Sequence, residues 1–368
     1  MNLSSGYKIK LACGIAINVA IVMMAIFTGY GGCINPDTMP LAGVAAMTFP
    51  LWFLLLIFIL VLDLWLCRRL AIVAGIGVLA TLSPFLTFFP INVPHGELTK
   101  EELSRSFTVL TYNVYDFIAV DGEYPDKTNR TLSYIIDADA DIVCLQECEY
   151  LSPLPRWGVY RPQIDSIKQM YPYILIDTAG QSIFSKYPVK KMSLDIADND
   201  VDDMAGFSIE IEGRELSVYN LHLQSIGLTV DDKELYKELT GLKTENNVHR
   251  IKSQLLAKLS AANKLRARQA RQVRTYIDDD KCENVIVCGD FNDVSGCYAI
   301  REISGGEMTD AYAECAFGPT ITYNTNRFYF RIDHVLYKGN FEAVKIERGD
   351  VNSSDHYPLL TTFLWSED

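Results

Sequence analysis

The chemistry in this 368-residue sequence is concentrated in a few acids, amides and histidines that end apolar runs. The clearest case is Val285-Ile286-Val287-Cys288-Gly289-Asp290-Phe291-Asn292. Four apolar residues predict a short buried strand, and Gly289 closes it where a side chain would obstruct a close approach. Asp290 and Asn292 follow two apart, on one face of an extended chain. A carboxylate beside a neutral amide suits a metal-bound water next to a phosphate, whereas alone the pattern reads as an Asx-type turn. The same grammar recurs, and the weight rests on that recurrence. Asn113 ends the run from Phe107, Glu147 follows Asp141–Gln146, and His222 closes Arg214–Leu223. Asp333 lies in Phe330–Leu336, and Asp355 directly precedes His356. Carboxylates without thiolates favour a hard cation, Mg²⁺ with Mn²⁺ as a substitute, which keeps waters free for a phosphate. His356 places a proton acceptor beside Asp355, a metal or phosphate ligand. Asp333 is the carboxylate that could orient it, since a histidine base needs such a partner. His334 then points to the other side of that strand, and it and His249 are read as structural.

The elements that must carry these residues alternate between strands and helices. Thr99-Lys100-Glu101-Glu102 fits a capping box, Arg130–Ala138 a helix with Leu132, Ile135 and Ile136 inward, and Ser182–Ser185 a strand closing in a turn. After a polar insertion at about Leu228–Val248, a helix is predicted from about His249 to Ile277. Its Lys and Arg residues read as a solvated outer face, its leucines as the face that docks on a sheet. Hairpin-like stretches are expected at Phe328–Tyr337 and Leu359–Leu364. Together they imply an α/β architecture of two sheets packed face to face with helices outside.

The first 95 residues are of another kind. Leu11–Pro36, Thr38–Leu62 and Leu70–Gly96 contain no Lys, Arg, Asp or Glu, and each meets the ~20 residues that cross a bilayer. Three spans are therefore expected over residues 1–95, with a juncture at 96–106. Lys8 and Lys10 precede the first, and Arg68 and Arg69 separate the second from the third. The positive-inside rule puts both clusters in the cytoplasm and everything after the third span outside it, in the periplasm of a bacterium with two membranes. The chain carries 33 Lys and Arg against 46 Asp and Glu, net −13, and the first 99 residues have a small positive excess. The remainder is thus strongly acidic, which argues against a wholesale electrostatic grip on nucleic acid. Cys144 and Cys288 sit in apolar strands and read as buried thiols, and no Cys/His spacing resembles a zinc site.

Taken in order, Leu110-Thr-Tyr-Asn113, Asp141-Ile-Val-Cys-Leu-Gln-Glu147, Tyr219-Asn-Leu-His222, Gly289-Asp-Phe-Asn292, Phe330-Arg-Ile-Asp333 and Ser354-Asp-His-Tyr-Pro358 resemble the endonuclease/exonuclease/phosphatase superfamily, the DNase I-like fold. The resemblance spans about Phe107–Trp365, within a catalytic region taken as 107–368. It implies a four-layer αββα sandwich of two mixed sheets and divalent-metal-dependent cleavage of phosphate esters. By that resemblance Glu147 is the principal Mg²⁺ ligand and Asn113 helps to hold metal or phosphate. His356, oriented by Asp333, activates water or holds the scissile phosphate, and Asp290 with Asn292 positions the nucleophile and the developing charge. His222 resembles the second histidine of the DNase and sphingomyelinase branches. Tyr115 stands where abasic-site endonucleases carry an aspartate, which speaks against DNA repair. The substrates the resemblance allows are lipid head groups, small phosphoesters and nucleic acid. The expectation is a membrane-anchored phosphohydrolase, with an extracytoplasmic nuclease and a catalytically inactive tethered binding module as alternatives; no protein partner is implied.

Overall fold

Period-two burial decides the architecture. In β1 (Ser106–Asn113), Phe107 and Val109 face one way and Leu110 and Tyr112 the other, and all four are buried. β8 (Val285–Asp290) repeats this, with Ile286 and Cys288 on one side and Val285 and Val287 on the other. Strands apolar on both faces must be covered twice, which is why these runs lack the alternation of a half-solvated sheet. The computed structural model of the chain, which describes residues 5–118, 128–148, 160–176, 180–194, 204–227, 248–325 and 329–367, shows what covers them. The polar insertion expected at about 228–248 lies almost entirely outside the described residues.

One sheet comprises β1, β2 (Ile142–Gln146), β3 (Tyr173–Ile176), β4 (Ser182–Ser185), β11 (Phe341–Arg348) and β12 (Leu359–Trp365), in the order β11-β12-β1-β2-β4-β3. The other comprises β5 (Val189–Lys191), β6 (Met204–Ile211), β7 (Arg214–His222), β8, β9 (Thr309–Asp310) and β10 (Asp333–Lys338), in the order β5-β6-β7-β8-β10-β9. Each has one parallel pair at its centre, β1 with β2 and β7 with β8, among antiparallel neighbours. Between the sheets lies a core that includes Val109, Cys144, Val218, Ile286, Cys288 and Phe363. Outside the first sheet pack α7 (Arg130–Ala138) and α8 (Arg161–Met170), through Leu132, Ile135 and Ile167. Outside the second pack α9 (Val248–Asp279) and α10 (Tyr298–Ser304), through Ala270, Val273 and Ile303. The expected four-layer sandwich is present, and the capping box forms on α6 (Lys100–Ser104). All nine cysteines are free thiols, Cys144 and Cys288 among the buried ones.

Three sequence expectations are corrected. The segment before Tyr337 is not one arm of a hairpin: β10 and β11 follow each other in the chain but belong to different sheets, so the turn at Gly339 and Asn340 crosses the sandwich. The strand expected from Phe330 starts only at Asp333, and Phe330 makes an isolated bridge to Tyr323. The arginines of α9 are also not a merely solvated face. Arg266 is buried against Asp293 at 3.3 Å, Arg271 pairs with Asp37 at 2.9 Å, and Arg274 pairs with Asp278 and Glu307.

The amino-terminal helices include two that are long and apolar enough to cross a membrane, within α1 (Ser5–Gly29) and at α3 (Phe49–Leu66). The third expected span is a bent pair, α4 (Arg68–Ala80) and α5 (Leu82–Phe88), at 55°. Pro84 explains the break, since it can give no amide hydrogen to the carbonyl a turn earlier and its ring crowds that carbonyl. Between α1 and α3 the chain makes a tight turn at Gly31–Cys33 and the short helix α2 (Pro40–Ala46), which sequence reading did not anticipate. These lie directly on the sandwich. A Cβ on Gly32 would stand 1.8 Å from the carbonyl oxygen of Gly296, and Asn92 Nδ2 donates to the carbonyl of Ala313 at 2.8 Å.

A buried amide pair joins the two sheets. Gln146 Nε2 donates to Asn220 Oδ1 at 2.6 Å, and Asn220 Nδ2 donates to the carbonyls of Leu145 and Ser182 at 2.8 and 3.1 Å. Both side chains are fully buried. Asn220→Ala strands those two carbonyls and a Gln146 proton, so a loss of about 2–3 kcal/mol is expected in denaturant unfolding of the detergent-solubilised protein.

Candidate active site

The carboxyl ends of the two parallel pairs meet at one edge of the sandwich. The register pairs Asn113 with Gln146, so Glu147 is the next residue out, and it pairs His222 with Asp290. Asp333, the first residue of antiparallel β10, lies opposite Asp290 on its other side. Gly289 permits this packing: it sits at φ +133°, and a Cβ there would stand 2.0 Å from the carbonyl oxygen of Leu221 in β7. Just beyond the strands, Tyr115, Glu147 and Asn292 adopt left-handed backbone at φ 46°, 50° and 50°. Such conformations are costly for these residue types and persist where surroundings hold them. Asn292 is held by its amide donating to Asp290 Oδ1 at 2.8 Å and its side chain donating to the carbonyl of Leu223 at 2.9 Å.

Asn113 Nδ2 donates to Glu147 Oε1 at 2.9 Å and to Asp290 Oδ2 at 3.1 Å, linking an acid of each sheet. His222 Nε2 lies 3.6 Å from Glu147 Oε1 and 3.8 Å from Asp290 Oδ2. His356 Nδ1 donates to Asp333 Oδ2 at 2.8 Å, which leaves Nε2 facing Asp290 Oδ2 at 3.5 Å. Ser354 Oγ donates to the carbonyl of Asn113 at 2.7 Å and so fixes the loop that carries Asp355 and His356. All eight sequence-selected residues, Asn113, Glu147, His222, Asp290, Asn292, Asp333, Asp355 and His356, are at this edge. His334 is turned away, fully buried, with Nε2 donating to the carbonyl of Asp293 at 2.9 Å. Burial and the nearby Arg331 push its imidazole down to about 3, so it stays neutral. The side chain of His249 lies outside the described residues.

A cavity of about 250 Å³ opens at this edge. Glu147, Asp290 and Asp355 line it, as do Asp293, whose carboxylate is paired with Arg266, and His222 and His356, with no lysine or arginine among the described residues. Burial raises the Asp290 carboxyl; His356 and His222 oppose that rise without cancelling it. Burial also raises Asp355, with Glu147 and Asp290 adding to the effect. For His356 burial works downward, but Asp333, Asp290 and Asp355 outweigh it and push the imidazolium up to about 10. Carboxylates that outnumber the charged His356, crowded around an amide, fit a hard divalent ion. Asp290, Asp333 and His356 approach closely enough to ligate an ion together. In the structure His356 Nδ1 and Asp333 Oδ2 are engaged with each other at 2.8 Å.

Several wall residues had no sequence signal as site residues. Tyr323 stacks edge-on against His356 with ring centroids 5.0 Å apart, Phe330 borders it, and Met47 reaches the cavity from the turn between α2 and α3. Their positions follow from chain crossings that no local pattern encodes.

The sequence profile of the Endonuclease/Exonuclease/phosphatase family matches residues 110–356, and the chain belongs to that family. Its members are metal-dependent phosphoesterases, and this chain is accordingly an enzyme acting on ester bonds. Residues 10–88 match a domain of unknown function, DUF8431. No curated protein sequence matches the chain. Similar solved structures include an endonuclease/exonuclease/phosphatase from Bacteroides vulgatus, at 17% identity over 71% of this chain and 99% of that one, TM-score 0.46. A mannosyl-6-phosphatase from Bacteroides thetaiotaomicron has 17% identity over 70% and 100%, TM-score 0.44. TDP2 from D. rerio, complexed with single strand DNA product, has 15% identity over 70% and 98%, TM-score 0.45.

The Asp333–His356 pair gives a pH signature in the metal-free protein. A folded value near 10 against about 6.5 unfolded means stabilisation fully present below about pH 6.5 and lost as pH rises towards 10. Asp333→Asn is expected to move the His356 ring titration, followed by NMR, downward and to flatten that part of the stability profile.

Proposed function

We propose that the chain is a membrane-anchored, Mg²⁺-dependent phosphohydrolase that cleaves a phosphodiester or phosphomonoester by attack of water. The observation that carries this reading is the convergence, at one sandwich edge, of Glu147, Asp290 and Asp355 with His222 and the Asp333–His356 pair around a cavity that has no lysine or arginine among the described residues. The carboxylates there outnumber the charged His356, and a bound divalent cation would offset their repulsion of a phosphate. Glu147, Asn113 and Asp355 would hold the ion; Mn²⁺ is the expected substitute. Bound there, it would polarise a phosphoryl oxygen and neutralise charge that develops on it.

The remaining roles belong to side chains. Asp290, with its carboxyl raised by burial and fixed by the Asn113 and Asn292 hydrogen bonds, orients the attacking water and takes its proton. Asn292 fixes Asp290 through its backbone and shapes the cavity wall. His356 is held charged by Asp333 and is better suited to grip the phosphate than to act as a base near neutral pH. His222, the more open histidine, sits across the carboxylates and would hold or protonate the leaving oxygen.

The division of the chain follows: an anchor over 1–95, a juncture at 96–106 and a catalytic region over 107–368. The basic residues at Lys8, Lys10, Arg68 and Arg69 lie at the helix ends away from α2 and the end of α5, where the sandwich docks, which supports an extracytoplasmic catalytic edge. A nuclease reading loses support from α9, since Arg266, Arg271 and Arg274 are already engaged with acids.

In assays of the full chain with Mg²⁺ or Mn²⁺ and a panel of phosphoesters, Glu147→Ala and His356→Ala should each lower kcat by about 10²–10³. Undiminished turnover in both would remove the assignment. Reporters fused after the carboxyl terminus should be active only when they require the extracytoplasmic side; activity of a cytoplasm-only reporter would reverse the orientation.

A further inference from the structure

A second cavity, of about 510 Å³, lies where the amino-terminal helices meet the sandwich. Its size falls within the ~300–1,000 Å³ of small-molecule sites. One wall is Val44 of α2 with Leu51 of α3 and Phe88 and Phe89 at the end of α5. The facing wall is Leu259 of α9 with Ile321, Tyr329 and Phe330. Arg331 is the single charged residue among the described residues of its lining, and it is committed: its guanidinium meets both oxygens of Asp310 at 3.1 and 2.8 Å. The described lining therefore offers an anion no uncommitted charge and offers a hydrocarbon a predominantly apolar surface.

Two further observations identify what would occupy it. Met47, Val294 and Phe330 line both this crevice and the catalytic cavity, so the two are neighbours across a shared wall. At its other side the crevice reaches Leu51, 69% exposed at the start of α3, from which Leu54 and Phe58 continue an exposed apolar flank. Beside it Ile91, Val93 and Phe317 stand 62%, 90% and 71% exposed, an apolar collar on the face of the sandwich nearest the helices. Exposed apolar surface of that extent marks contact with a partner or a membrane.

We infer that the crevice is the acyl-chain site for a bilayer phospholipid whose phosphoester lies in the catalytic cavity. This rests on the phosphohydrolase reading above and names its substrate class. A lipid would enter sideways past α3, its chain between α2 and Ile321 and its phosphoester beyond Met47 among the carboxylates. Hydrolysis forms a bond from phosphorus to the water oxygen and breaks the one to the leaving oxygen, which receives the water's proton. The chain takes no part in that exchange and fixes which lipids present their ester to it.

The test uses the full chain in phosphatidylglycerol–phosphatidylethanolamine nanodiscs. A phospholipid carrying a diazirine midway along one acyl chain is photolysed in the presence of EDTA, so that binding is read without turnover. Label on Ile321, Tyr329 or Leu259 is expected; label confined to bilayer-facing positions such as Leu54 and Phe58 would overturn the inference. Separately, Val44→Trp and Thr320→Trp fill the crevice away from the catalytic cavity. They should lower kcat/KM for vesicle phospholipid at least about tenfold, as lost burial of a few methylenes predicts, while bis(p-nitrophenyl) phosphate turnover holds within about twofold. Equal losses on both substrates, or no loss on either, would also overturn it. Failure of the hydrolase reading would look different: crevice label without turnover of any phosphoester.

Discussion

The hydrogen bond from Gln146 to Asn220 across the sandwich is the contact on which the catalytic edge depends. Gln146 is the residue before Glu147, and Asn220 lies two before His222, so one amide pair sets the spacing of an acid from one sheet against a histidine from the other. Apolar layers alone would not do this, because hydrophobic contact is non-directional and tolerates sliding by fractions of an ångström. A buried amide with its acceptors fixed does not. The second link, Asn113 between Glu147 and Asp290, then operates at a spacing already established.

That arrangement accounts for the use of parallel strands at the centre of each sheet. Parallel neighbours end together, so β1 and β2 deliver Asn113 and Glu147 to the same side, and β7 and β8 deliver His222 and Asp290. The antiparallel strand β10 brings Asp333 to the same edge from its starting end. Five strands thus contribute to one small cavity with little loop between strand end and functional group. Burial raises the Asp290 carboxyl held this way, and groups so perturbed cluster where chemistry is done.

Much of this was legible in the sequence because it is local. Asn113, Glu147, His222 and Asp290 stand at the ends of apolar runs of strand length, and the order of the motif blocks gives the family resemblance. The helix at Arg130–Ala138 and the capping box at Thr99 follow from propensity and spacing in the same way. What escaped is non-local. Nothing near Met47 says that it borders a catalytic cavity, and nothing near Arg266 says that its charge is spent on Asp293 in the interior. The hairpin expected before Tyr337 failed because strand pattern reveals pairing potential but not which sheet a strand joins. The third span was read from composition, which is blind to the bend that Pro84 imposes.

The contact between Gly32 and Gly296 bears on how exchangeable the two parts of the chain are. Many enzymes hang from a flexible leader that can be swapped for another without consequence. Here a backbone carbonyl fills the space where even one methyl group would go, so the surface of the helices is a mould of the sandwich. Grafting this sandwich onto unrelated helices would discard the Met47 side of the catalytic cavity along with the native ones. A change on either side of the joint also needs an accommodating change on the other, so the two parts are constrained to vary as a unit.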